Sequence, residues 1–184
     1  KMTDWMDNNP KASVSTCRLL NEDGSIQPTG GFFPTLPKLF AWQFFIDDII
    51  PINSYHPKPS FYNNQKELDW VTGAFFLMRR EVIDKLGLLD EKFFMYAEEL
   101  EYCYRIKKAS FKVFFTPIAS IIHYGFKSSS KEKALISEYK SLVYFFKKHF
   151  PKQVFLARAI LKFGALLRSV IISRSTYEKC YKVA

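Results

Sequence analysis

The sequence predicts an α/β fold, and three observations carry that reading. Apolar runs of strand length alternate with helical ones, glycine and proline fall where those elements should end, and the chain is long and apolar enough to bury a core. At 184 residues, with 48% hydrophobic and 24% charged residues, it has the length of one domain and the composition of a folded globular protein. Disorder is excluded as the default.

The elements follow in order. "KMTDWMDNNP" reads as a polar-faced helix with no charged-then-apolar leader, which, with Lys1 in first place, suggests the interior of a longer protein. "ASVSTCRLL" alternates as a strand does, "NEDG" is a turn, and "SIQPTGG" is a short return strand or loop. Residues 32–68 hold Pro34, Pro37, Pro51, Pro57 and Pro59 among many aromatics, which predicts irregular chain with one short helix near Leu39–Ile46. "DWVTGAFFLMRR" has strand length and passes into "EVIDKLG", a short helix stopped by Gly87. A helix is then expected over 97–109. A strand "FKVFFTP" ended by Pro117 and a second strand "ASIIHYG" come next. From Ser130 onward the pattern is helical, with one break at Pro151.

The net charge of +9 is unevenly placed. Residues 1–126 hold 14 Lys and Arg against 15 Asp and Glu, whereas residues 127–184 hold 13 against 3. A basic tail of this kind points to a polyanionic partner, either anionic lipid or nucleic acid. The three cysteines, Cys17, Cys103 and Cys180, are odd in number and widely spaced, so neither a disulfide framework nor a zinc site is indicated. A reducing compartment is the simpler expectation.

"FFMYAEELEYCYRI" places three glutamates in four positions at the start of the predicted helix. Steps of about 100° per residue put Tyr102, Cys103, Ile106 and Ala109 on one arc, with Glu101, Arg105 and Lys108 opposite. Glu101 has Arg105 four residues ahead as an ordinary partner, and Glu98 sits at the margin. Glu99 lands within the apolar arc. First-turn glutamates are favoured by the helix dipole, which is one explanation. A cleft in which partial desolvation and Glu98 raise the proton affinity of Glu99 towards that of a general base is the other. Composition does not choose between them.

The ordered run "WVTGAFFLMRREVIDKLGLLDEKFFMYAEELEYCYRI" and then "FKVFFTPIASIIHYG" resembles the acceptor-side half of family 2 glycosyltransferases of the rhamnosyltransferase-like kind. That family combines an apolar strand carrying a Gly-Ala pair, an Arg-containing turn and helix, and a Gly-hydrophobic-Asp-Glu turn. A Phe-x-Tyr-x-Glu-Asp-x-Asp segment and a later strand with a histidine complete the pattern. The resemblance implies the C-terminal part of a GT-A fold, a Rossmann-like fold of nucleotide-diphospho-sugar transferases. Residues 1–126 would be its acceptor-side, catalytic part and residues 127–184 a basic amphipathic helical tail. Neither an Asp-x-Asp motif nor a Gly-rich phosphate loop occurs in the chain, so the donor-binding half is expected to be absent and the polypeptide alone inactive.

By the same resemblance, Glu99 would be the base that deprotonates the acceptor hydroxyl. Glu98 would line the acceptor site and Glu101 would position or brace the helix. The family has Asp where this chain has Glu99 and Glu101, which moves the carboxylate by one C–C bond, and about 1 Å of misplacement can cost about 100-fold in rate. His123, beside Ile121 on its strand, is either a core histidine with one hydrogen bond or, as in the family, a ligand for the divalent cation, Mn²⁺ or Mg²⁺, that neutralises the leaving diphosphate. Gly73 and Ala74 either relieve crowding in a strand or allow donor sugar and acceptor to approach the backbone. Trp70 is core or a platform for a sugar face, and Asp90 is a turn residue or an acceptor contact.

In "QVFLARAILKFGALLRSVII" the cations Arg158, Lys162 and Arg168 share about a third of the helical circumference and the rest is apolar. Residues 152–174 are too interrupted to span a bilayer, but suit an anionic membrane surface. A helix packed on the protein with a solvated cationic edge is the competing reading. The implied partners are a nucleotide-sugar donor and a glycan or lipid-linked acceptor of cell-surface polysaccharide synthesis, in the cytoplasm or at the inner face of the membrane. A non-catalytic carbohydrate- or membrane-binding module is the alternative. No recognition motif supports a nucleic-acid partner.

Overall fold

The computed structural model describes residues 1–50, 54–93, 95–125 and 130–184. Among these the chain is α/β, as the alternation of patterns predicts. It divides into two compact units, the first of residues 1–33, 56–91 and 99–125, the second of residues 34–55, 92–98 and 126–184.

The first unit is built on a mixed sheet. Its centre is β1 (Val14–Leu20), whose residues 14–17 are buried on both faces, as in a covered central strand rather than an alternating one. β1 turns back into β2 (Ile26–Gln27) as an antiparallel hairpin in which Leu19 faces Gln27. β3 (Gly30–Gly31) pairs with β5 (Trp70–Val71) in a separate two-stranded ribbon. A Cβ on Gly30 would lie 2.2 Å from the Trp70 carbonyl oxygen, so only glycine permits that approach.

β4 (Lys66–Leu68) runs antiparallel to β7 (Val113–Ile122), and β7 runs parallel to β1. β6 (Leu77–Met78) pairs with the start of β1. The apolar run 69–80 is therefore not one strand: β5 and β6 are separated by a turn that carries Gly73 and Ala74. Pro117 does not end a strand either. β7 passes through it as one element, and the pairing slips between Thr16 opposite Phe115 and Arg18 opposite Ser120. The slip removes Pro117 from the regular ladder, where its missing N–H would have left a gap.

Helices α1 (Met2–Asp7), α4 (Arg80–Leu86) and α5 (Glu98–Lys108) accompany the sheet. In α1, Trp5 and Met6 cluster with Ala12, Leu77 and Phe114. α4 ends at Gly87 with φ +70°, the stop its sequence announces. Against the sheet, Leu68, Val71, Cys103, Ile106, Val113 and Phe115 are withdrawn from water.

The second unit is helical. The short helix expected near Leu39–Ile46 is α2 (Leu36–Gln43), followed by a further turn, α3 (Ile46–Ile49). α6 (Lys131–His149) starts on a Ser130 cap, whose hydroxyl accepts from the Lys133 amide. Pro151 breaks the helix as expected, and α7 (Val154–Ile171) follows. A second break at Ile172–Ser173, not signalled by proline or glycine, separates off α8 (Arg174–Val183).

α7 is packed the opposite way round from its cationic-stripe reading. Its inner side is made of Ala157, Leu161, Gly164, Ala165 and Arg168, and its bulky residues point outward: Phe155 is 78% exposed, Phe163 64% and Val170 82%. The small inner residues let α2 come close, since a Cβ on Gly164 would meet Gln43 at 2.3 Å. Arg168 is buried and donates to the carbonyls of Trp42 and Gln43, with the Phe45 ring 4.3 Å from its guanidinium. Those carbonyls end α2, where the helix dipole favours a cation. Arg158 donates to the Ala184 carbonyl and Lys162 lies over the Tyr181 ring, so the three cations are turned towards α2 and α8 rather than outward.

Candidate active site

Helix α5 positions the carboxylates. Two residues before it, Tyr96 and Ala97, have φ of +67°, a left-handed backbone that costs a non-glycine residue about 1 kcal/mol or more. This strained entry falls at the segment the sequence singles out, and Glu98 and Glu99 open the first turn immediately after it. Both are half-buried, and each has one carboxylate oxygen out of contact with water. Among the described residues the Glu98 Oε2 has no hydrogen-bond partner.

Glu99 is on the apolar side, as the helical period predicts. Burial holds the Cys103 thiol well above its ordinary range, and the nearby charge of Glu99 pushes it the same way. Lys107 continues this face. Its ammonium donates to Asp69 at 3.0 Å, to Glu67 at 3.2 Å and to the Leu68 carbonyl at 3.1 Å. Asp69 also accepts the Phe33 amide at 3.0 Å. Asp69 and Lys107 escaped the reading of the sequence because their partners are almost forty residues apart.

Glu101 departs from its expected place. Instead of a solvated pair with Arg105, it is completely buried, and both its oxygens accept from Arg105 Nε, at 3.2 and 3.0 Å. Arg105 also donates to the carbonyls of Leu86 and Leu88, and the Tyr102 hydroxyl donates to Gly87 at 2.7 Å. Three carbonyls at the end of α4 thus hold α5, and the buried charge of Glu101 is compensated by the arginine it orients. The opposite arc is covered by the α4–Gly87 turn, which no helical wheel of α5 alone contains.

His123 follows the last residue of β7 and is half-buried. Its Nδ1 lies 2.6 Å from Gln27 Oε1, and its amide donates to the Leu20 carbonyl. Gln27 went unnoticed in the sequence because its partner is 96 residues away. The ring nitrogen Nε2 is the one that remains for a ligand, which fits one position around a divalent cation. Among the described residues no three His, Cys, Asp or Glu side chains gather as a metal site.

Gly73 is exposed, and a Cβ there would meet nothing within 4 Å, so crowding within a strand does not explain it. Ala74 is half-buried in the same turn. Trp70 is buried and packs edge-on against His56 at 5.8 Å, which makes it part of the core. Asp90 is half-buried in the loop after α4. In the second unit, Lys92, Met95, Ser137, Lys140, Ser141 and Tyr144 line a groove of about 380 Å³. No helix among the described residues is long and apolar enough to cross a membrane.

Comparison with known proteins bears on the family. The model of glycosyltransferase-like family 2 matches residues 52–139. An N-acetylglucosaminyl-diphospho-decaprenol L-rhamnosyltransferase of Mycobacterium tuberculosis is 24% identical over 74% of this chain and 46% of its own length. A low-salt glycan biosynthesis hexosyltransferase of Haloferax volcanii is 28% identical over 60% of this chain and 33% of its own. A rhamnosyltransferase of Escherichia coli is 30% identical over 45% and 31%. The chain thus spans less than half the length of the curated relatives it matches, and no solved structure matches it. With a mixed sheet, a helical C-terminal region and these relatives, the chain is similar to family 2 glycosyltransferases of the rhamnosyltransferase-like kind, and its fold is GT-A-like.

Proposed function

We propose that this chain forms the acceptor side of an inverting transferase that moves a sugar from a nucleotide-diphosphate donor to a hydroxyl of a glycan or lipid-linked acceptor in cell-surface polysaccharide synthesis. Glu99 takes the proton of the acceptor hydroxyl while that oxygen bonds to the anomeric carbon. The bond from that carbon to the nucleoside diphosphate breaks, and the diphosphate leaves with the electron pair. A divalent cation, Mn²⁺ or Mg²⁺, supplies neutralisation of the leaving group, with His123 as one of its ligands. Glu98, Gly73, Ala74 and Asp90 are the acceptor-side contacts, Glu101 braces the helix, and the buried Trp70 supports the turn from below.

The observation that carries the reading is the pairing of a half-buried Glu99 on the Cys103 face of α5 with a strained left-handed entry just before it. The test uses the longer enzyme that includes a donor-binding half. Glu99→Gln keeps the shape and removes the base, and should lower kcat by about 100-fold or more with little change in acceptor KM. Undiminished transfer would mean that Glu99 is not the base.

Membrane contact belongs to the same proposal. The outward face of α7 joins large apolar side chains to a tail in which cations outnumber acids, a combination suited to an anionic lipid surface where a lipid-linked acceptor resides. The chain would then work as a peripheral protein on the inner face of the membrane.

A further inference from the structure

A chain of polar groups leads from the β1–β2 turn to His123, and its chemistry allows only one direction. Asp23, as a carboxylate, can only accept. The Ser25 hydroxyl lies 2.6 Å from it and therefore donates to it, and together with the Ser25 amide it holds the Asp23 carboxyl below the usual range. Ser25 Oγ consequently accepts from Asn21 Nδ2 at 2.8 Å. Asn21 Oδ1 accepts from Gln27 Nε2 at 2.9 Å, which leaves Gln27 Oε1 as the acceptor facing His123 Nδ1 at 2.6 Å. The imidazole proton is thereby held on Nδ1, and in the neutral ring the lone pair sits on Nε2.

We propose that Gln27 is a positioning residue for His123 and that the Asn21–Ser25 turn is the anchor that orients it. The site fixes one imidazole tautomer in advance, with Nε2 ready to meet an electron-poor partner, a divalent cation in the reading above. Reversing the Gln27 amide would set its oxygen against Asn21 Oδ1, acceptor against acceptor, and point its NH₂ at His123, so the whole turn must act together. The surroundings allow little slack: a Cβ on Gly125 would lie 3.4 Å from Gln27 Nε2, and the same nitrogen is 3.5 Å from the His123 carbonyl. The role rests on the proposed function for its purpose, but the tautomer itself does not.

The experiment is nitrogen-15 NMR of the 184-residue chain labelled at histidine, recorded at mildly alkaline pH. His123 should show a protonated Nδ1 and a bare Nε2. Gln27→Leu should return it to a mixture of the two forms, whereas Gln27→Glu, which keeps an acceptor oxygen, should restore the Nδ1–H form. In the longer enzyme, Gln27→Leu should raise the Mn²⁺ concentration for half-saturation of His123 line broadening by about 10-fold or more, in line with the loss of a partner that orients a ligand. A wild-type ring protonated on Nε2, or one whose tautomer ignores Gln27→Leu, would overturn the inference. If the tautomer behaves as expected while Glu99→Gln leaves transfer intact, the positioning stands and the catalytic reading fails.

Discussion

Glu101 and Arg105 illustrate how a side chain's surroundings can reverse a reading made from its own helix. Four residues apart, they look like a surface pair worth a few tenths of a kcal/mol. With Glu101 fully buried and Arg105 also serving the carbonyls of Leu86 and Leu88, the pair instead joins two helices. Glu101→Gln should cost about 2 kcal/mol in a urea denaturation, less than the 3–5 kcal/mol of a fully buried pair because Arg105 keeps its carbonyl partners and some water. Arg105→Leu should cost more, since it removes the ion pair and both bonds to the α4 carbonyls together. Equal, negligible losses from both would show that the pair behaves as a surface one. Glu99 was more legible than Glu101 because its face is set by the 3.6-residue period of α5, whereas the cover over Glu101 is made by a different helix.

Among the elements, those with local signals could be read directly: α4 stops at Gly87, Pro151 interrupts the tail, and α5 opens at the glutamate cluster. β7 could not, because its continuity through Pro117 depends on a slipped register against a strand about a hundred residues earlier. The faces of α7 were misread for a related reason. The cationic stripe implies that Arg158, Lys162 and Arg168 face outward, but α2 comes close at Gly164, where a Cβ would meet Gln43 at 2.3 Å, and it is the large apolar residues that are turned outward. Arg168, which a charge count places in solvent, completes the end of α2, as Arg105 does for α4. Membrane contact should therefore be tested on the outer face. Phe163→Asp with Val170→Asp should reduce flotation of the chain with anionic vesicles by about 10-fold or more while leaving its circular dichroism unchanged. Flotation equal to the parent's would remove α7 from the contact. Cutting after Pro151 is a poorer test, since it also strips α2 of Arg168.

For the molecule as a whole, family and fold were recoverable from the ordered run Trp70–Gly125, while the relation of Gln27 to His123 was not, being a pairing that only the folded sheet creates. The acceptor-side reading also sets an expectation for the 184 residues by themselves. Mixed with nucleotide sugar, acceptor and Mn²⁺, the purified chain should release no nucleoside diphosphate above background, and measurable turnover would refute its assignment as one side of a larger site.

Each compact unit is assembled from three separate stretches of chain. During synthesis, the stretch 34–55 leaves the ribosome long before 126–184 exists to cover its Trp42 and Gln43, so the second unit cannot be finished until the chain is nearly complete. Stalled or prematurely terminated nascent chains, which carry an unfinished second unit, should accordingly be substrates for chaperones and proteases.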